Sequence, residues 1–169
     1  MKFGSIIQHY IPNVYWNIRD YVIRPGGGIM KRLCLLYIRR CDAFNCASLG
    51  THLGGGALFK SRPNLPHGIK GIVIAHNVEI GYNCRIFQNV CIGCDDKCLE
   101  NAPIIGDNVT IYPGAIIVGK IKVGDNCIIA ANAVVNKDVP NNTTVVCAST
   151  RYILHDNVNL ERVVSKSND

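Results

Sequence analysis

Residues 74–140 read IAHNVEIGYNCRIFQNVCIGCDDKCLENAPIIGDNVTIYPGAIIVGKIKVGDNCIIAANAVVNKDVP, and the spacing of their aliphatic side chains decides the fold. Ile74, Ile80, Ile86 and Ile92 fall six residues apart. After one break Ile105, Ile111, Ile117, Val123, Ile129 and Val135 do the same. Four residues after each but Ile92 stands a second, often small residue: Val78, Cys84 and Val90, then Val109, Ala115, Ile121, Cys127, Ala133 and Val139. A helix repeats its apolar positions every three to four residues and a half-buried strand every two. A period of six instead describes short flat strands joined by sharp turns, each strand sending one large aliphatic inward. Ten aliphatic positions in two in-phase runs leave little room for a β-sandwich with coincidental spacing.

Three such sides close into a triangular coil, so Ile74 and Ile92 are predicted to stack. A single coil cannot bury its own side chains and relies on the coils above and below. The chain is therefore mainly β, a parallel β-helix. Gly-Asp-Asn at 106–108 and 124–126 and Gly-Tyr-Asn at 81–83 suit its corners, where Gly and Asn tolerate a left-handed backbone. Ile92 and Ile105 lie thirteen residues apart where twelve would keep phase, which predicts a loop leaving a corner over residues 93–103. Loops on rigid scaffolds gather binding residues.

Around this centre, residues 1–44 read as a basic helical segment. Tyr10, Tyr15, Trp16 and Tyr21 mark its first part, PGGG at 25–28 breaks it, and Ile29–Phe44 forms a second helix with Leu33, Leu36, Tyr37 and Arg40 on related faces. The β-helix domain is assigned to residues 45–153, with an irregular first coil in 52–59, and a polar tail to residues 154–169.

Net charge is +6 over 169 residues, and residues 1–62 alone carry +7. Such a segment suits an anionic membrane surface, so peripheral membrane contact is one expectation, although a solvated basic face is the plainer one. No nucleic-acid-binding motif accompanies it. No stretch has the length of a membrane span, and the opening residues lack the core and cleavage site of a signal peptide, so the protein is read as cytoplasmic. Nine cysteines, an odd number, fit that compartment. Cys84 and Cys127 occupy inward positions as small hydrophobes, and Cys91, Cys94 and Cys98 lack further ligands at zinc spacing, so no metal is expected.

His67, in LPHG at 65–68, is held between Pro and Gly, and an imidazole titrates in the range a general base needs. A surface histidine would look the same from the residues alone. His76 falls at the third position of a hexapeptide, facing out near a corner. His67, His76 and Gln88 are the candidates for contact with a substrate.

LPHG at 65–68, GIVI at 71–74, IFQNV at 86–90, PIIGDN at 103–108, GDN at 124–126 and ANAVV at 131–135 with KDVP at 137–140 resemble the serine acetyltransferase branch of the hexapeptide-repeat acyltransferases, over residues 45–153. The resemblance implies a left-handed β-helix, a homotrimer with active sites between neighbouring prisms, and acetyl-CoA as donor. It implies that His67 takes the proton of an acceptor hydroxyl attacking the thioester, a direct transfer with no acyl-enzyme, with a backbone N–H of the neighbouring prism holding the oxyanion. It also places the pantetheine arm near Gly114, Ala115, Ala130 and Ala131, with Lys137 and Arg151 toward the phosphates. The chain departs from the family in three places. No Asp upstream matches the one that orients the base, a role left to a backbone carbonyl. NAP at 101–103 replaces a His-Pro, and CASTR at 147–151 replaces Gly-Val-Pro-Ala-Arg.

The expected function is acetyl-CoA-dependent O-acetylation of a small hydroxyl compound, serine first. The alternatives are a sugar or surface-polysaccharide O-acetyltransferase and a non-catalytic β-helix scaffold. A zinc carbonic anhydrase on the same fold would need His52, His67 and His76 together, and their spacing does not suit it.

Overall fold

The structure is a computed structural model that describes residues 3–94 and 101–148, and of residues 3–12 the helical backbone alone. Three parallel sheets form the sides of a prism. Face one stacks Ser48–Leu49, Val73–Ile74, Cys91–Gly93, Ile116–Val118 and Val134–Val135. Face two stacks Arg85–Ile86, Thr110–Ile111, Ile128–Ile129 and Thr144–Val145. Face three stacks Leu58–Phe59, Glu79–Ile80, Ile104–Ile105 and Lys122–Val123. The predicted stacking is observed: Ile74 pairs with Ile92, and Ile92 with Ile117. Ile86, Ile92, Ile111, Ile117 and Ile129 are shut off from solvent, while their neighbours Arg85, Ile116 and Ile128 face outward. The two-residue strands are short because the chain must turn again within six residues.

The register revises the break. Ile80 pairs with Ile105, twenty-five positions on, whereas Ile74 and its partner Ile92 are eighteen apart. The corner after Gly93 therefore carries seven extra residues, not the single one that the spacing of Ile92 and Ile105 suggested. Of the predicted loop, residues 95–100 lie outside the described residues, as do Arg151 and the tail. The first coil is regular on two faces and irregular at one corner, where Thr51–His52 and Gly55–Gly56 form a small antiparallel pair.

The corners divide their labour differently from the expectation. Asn83, Asn108 and Asn126 are the residues with left-handed backbone, at φ 55–57°, and their amides form a ladder: Asn108 Nδ2 donates to Asn126 Oδ1 at 3.1 Å and Asn126 Nδ2 to Asn142 Oδ1 at 3.1 Å. The glycines at 81, 106 and 124 have no such φ. They are there for space, because a Cβ on Gly106 would lie 2.8 Å from the carbonyl carbon of Gly124 in the next coil. Gly106→Ala is thus expected to push two coils apart and cost about 1–3 kcal/mol, as overpacking does. Gly93→Ala, with open space around it among the described residues, should stay within about 0.5 kcal/mol of the parent. Urea unfolding of the two variants side by side checks both.

Two helices, α1 (Phe3–Ile23) and α2 (Ile29–Phe44), precede the coils and pack on each other and on the first one. Arg19, only 1 % exposed, ties them to it. Its Nη2 donates to Leu49 O at 3.2 Å and Ala57 O at 2.5 Å, and its Nε to Thr51 Oγ1 at 3.1 Å. Its guanidinium lies over the rings of Phe59 and Trp16. Beside it the Tyr15 hydroxyl donates to Asp42 Oδ1 at 2.7 Å. Burial holds both Asp42 and Tyr15 above their ordinary ranges. Lys31 is buried too, with Nζ donating to the carbonyls of Arg24 and Pro25 just past the end of α1, where a cation is favoured. In the prism, Cys84 and Cys127 are fully buried, and burial pushes the Cys84 thiol up, as suits a small hydrophobe.

Candidate active site

Before face one begins its second strand, the chain crosses face two through a bridge between Asn64 and Arg85. It then makes a wide turn over residues 66–71 that carries His67. Pro66 fixes the entry to the turn. Gly68 N donates to Leu65 O at 3.0 Å, and Gly71 N reaches back to Asn45 O at 2.9 Å. The imidazole is exposed. Among the described residues neither a carboxylate nor the anticipated backbone carbonyl bonds it. The ring of Phe87 lies 5.9 Å from it at a 45° tilt. Phe87 in turn stacks on Tyr112 at 5.0 Å, and the guanidinium of Arg85 covers Phe87 at 4.9 Å. The patch thus presents an imidazole, an aromatic platform and a cation to whatever lies against it.

This aromatic ladder was missed from the sequence. Its signal was present, since Phe87 and Tyr112 each follow an inward isoleucine, Ile86 and Ile111, and those two stack in register.

The corner between faces two and one runs down the prism as a continuous edge. It holds His67, Gln88, Gly114, Ala130 and Ala131. Gln88 is half-buried, and its Oε1 is shut off from solvent with no hydrogen-bond partner among the described residues. A buried amide oxygen without a partner is costly and asks for one from outside. Ala131 is exposed and Gly114 and Ala130 half-buried. Ala115 faces the other way. It is fully buried in the prism, its N–H bonded to Tyr112 O and its C=O taking the N–H of Cys91. Its side chain fills the small inward position of the repeat.

His76 and Lys137 lie elsewhere, on the edge between faces one and three, together with Lys120. His76 Nδ1 is 3.0 Å from Gly50 O, and its ring meets that of His52 edge-on at 4.9 Å. His52 and His76 therefore pair at one edge while His67 stands on another, so the three histidines do not converge. A cavity of about 450 Å³, lined among others by Ile23, His52, Asn77 and Glu79, opens beside this second edge and not at His67. Within one chain the candidate residues are split between two edges.

Residues 102–137 match the model of the bacterial transferase hexapeptide family (six repeats). A serine acetyltransferase of Staphylococcus aureus is 38% identical over 110 residues, 64% of this chain and 51% of that protein. One from Staphylococcus epidermidis is 42% identical over 98 residues, covering 57% and 46%. The chain spans about half the length of the curated relatives it matches. Among solved structures, soybean serine acetyltransferase complexed with serine is similar at a TM-score of 0.61 and 30% identity, covering 73% of this chain and 49% of that one. Serine acetyltransferase isoform 3 of Entamoeba histolytica in complex with cysteine is similar at a TM-score of 0.62 and 26% identity, covering 83% and 47%.

Proposed function

We propose that this chain, a hexapeptide-repeat β-helix similar along its coils to serine acetyltransferases, transfers an acetyl group from acetyl-CoA to the hydroxyl of a small acceptor in the cytoplasm, with serine the leading acceptor. The observation that carries this reading is His67. The similarity extends over the coils, and among the described residues His67 is exposed on a wide, hydrogen-bonded turn at a prism edge. In the reaction the imidazole accepts the hydroxyl proton as the oxygen attacks the thioester carbonyl. The C–S bond then breaks, and coenzyme A leaves as the thiol once the proton reaches its sulfur. No cysteine need carry the acyl group.

The split of candidates between two edges supports a trimer. If the His67 edge of one prism faces the Lys137 edge of the next, His67, Gln88 and Ala131 oppose His76, Lys120 and Lys137 across a groove. The arm of the donor would run along Gly114 and Ala131, where side chains are small, and the lysines would meet its phosphates. A partner copy would also supply what Gln88 Oε1 lacks.

A second reading keeps the chemistry and changes the acceptor to a sugar. The stacked Phe87 and Tyr112 beside His67 favour it, since a flat aromatic face suits the apolar face of a pyranose. Arg85, by contrast, suits the carboxylate of serine. Thiol release from acetyl-CoA, measured with L-serine and with a panel of sugars in parallel, tests both. Serine-dependent release is expected, and release with sugars alone would move the acceptor to glycans. A protein that binds no acetyl-CoA would be a scaffold and not an enzyme.

A further inference from the structure

The second helix is mounted with its larger apolar face outward. Its buried side consists of Lys31, Leu35, Ile38 and Asp42. At about 100° per residue the opposite side gathers Ile29, Met30, Leu33, Leu36, Tyr37 and Phe44 into a stripe about 120° wide, as broad as the face a helix normally turns to a core. These six are exposed, Ile29 by 79% and Phe44 by 89%. Isolated surface aliphatics need no explanation, but a contiguous stripe of this kind marks an interaction site.

Charge selects the occupant. Arg32 and Arg39 border the stripe on one side, Arg40 rises through it, and all three are exposed. The single acid of the helix, Asp42, is buried under the Tyr15 hydroxyl. A second copy of the same face would set arginines against arginines with no counter-charge. An apolar slab beneath a layer of anions satisfies both halves of the surface. Among the described residues no helix is long and apolar enough to cross a membrane, so this one would lie along a surface.

We propose that α2 is an interfacial helix that docks this protein on an anionic lipid bilayer, its aliphatic stripe in the acyl boundary and Arg32, Arg39 and Arg40 among the headgroup phosphates.

Vesicle flotation of the full chain tests this. The protein should float with phosphatidylcholine vesicles containing phosphatidylglycerol, should not float with phosphatidylcholine alone, and should be released by high salt. The double variant Leu36→Glu/Phe44→Glu should lose flotation. Arg32→Ala/Arg39→Ala should weaken it by on the order of fivefold per arginine. All four positions are exposed, so both variants should keep the parent's thermal midpoint and Trp16 emission. Failure of the parent to float with anionic vesicles overturns the proposal. So does flotation unchanged in the glutamate variant, or a glutamate variant that alters the oligomer's size with no change in flotation, which would make the stripe a contact between copies.

Discussion

Acetyl transfer by the His67→Ala variant is expected to fall by about 10²–10⁴-fold, the range over which a positioned general base contributes. Alanine leaves the acceptor hydroxyl to lose its proton to water. The loss should appear in kcat with little change in the KM for acetyl-CoA, because the donor's proposed contacts are the small residues and lysines of the edges and not the imidazole. The fold offers little resistance to the substitution. His67 is exposed, has no hydrogen bond among the described residues and touches Phe87 by its ring alone. The variant should therefore unfold at the parent's temperature, which makes a lost rate a chemical result. Undiminished transfer in the variant would remove His67 from the mechanism.

The contrast between His67 and Ala115 shows what a sequence can carry. The six-residue period gave the prism, its stacked columns and the inward position of Cys84 and Cys127, because inward aliphatics recur at fixed spacing and spacing is visible in a string. The same period sets Ala115, four residues after Ile111, on the inward side, where the structure buries it, whereas the resemblance alone placed it in the donor site. The corner glycines were legible as corners but not in their reason. Which residue takes the left-handed backbone and which yields space depends on the approach of the next coil, and that is a distance between chain segments eighteen residues apart. In α2 the period separated two faces without saying which is buried. The helical spacing sets Leu33, Leu36, Tyr37 and Arg40 on related faces, and the fold leaves that side exposed and buries Leu35 and Ile38 with Lys31 and Asp42. The polar pair could go inside because Tyr15 and the carbonyls ending α1 were waiting for it.

Arg19 is the least legible of all, since its main partners are backbone carbonyls thirty and thirty-eight residues away. Arg19→Met is expected to destabilise the protein by about 3–5 kcal/mol. Apolar replacement of a buried charge can be neutral where both partners of an ion pair are replaced together. Here the partners are Leu49 O and Ala57 O, which no side-chain substitution can remove, and methionine would leave both buried without a donor. The rings of Trp16 and Phe59 would also lose the cation between them. The damage should be local at first, because the coils below share none of these contacts. Trp16 is the only tryptophan and is 4% exposed against Phe59 of the first coil, so its emission reports the junction, while β-sheet circular dichroism reports the prism. In the parent the two urea transitions should coincide. In Arg19→Met the tryptophan transition should come first, with the helices leaving a prism that still stands. Coincident transitions in the variant, or a midpoint like the parent's, would mean that the helices are held to the first coil by apolar packing and that the buried guanidinium contributes little to the joint.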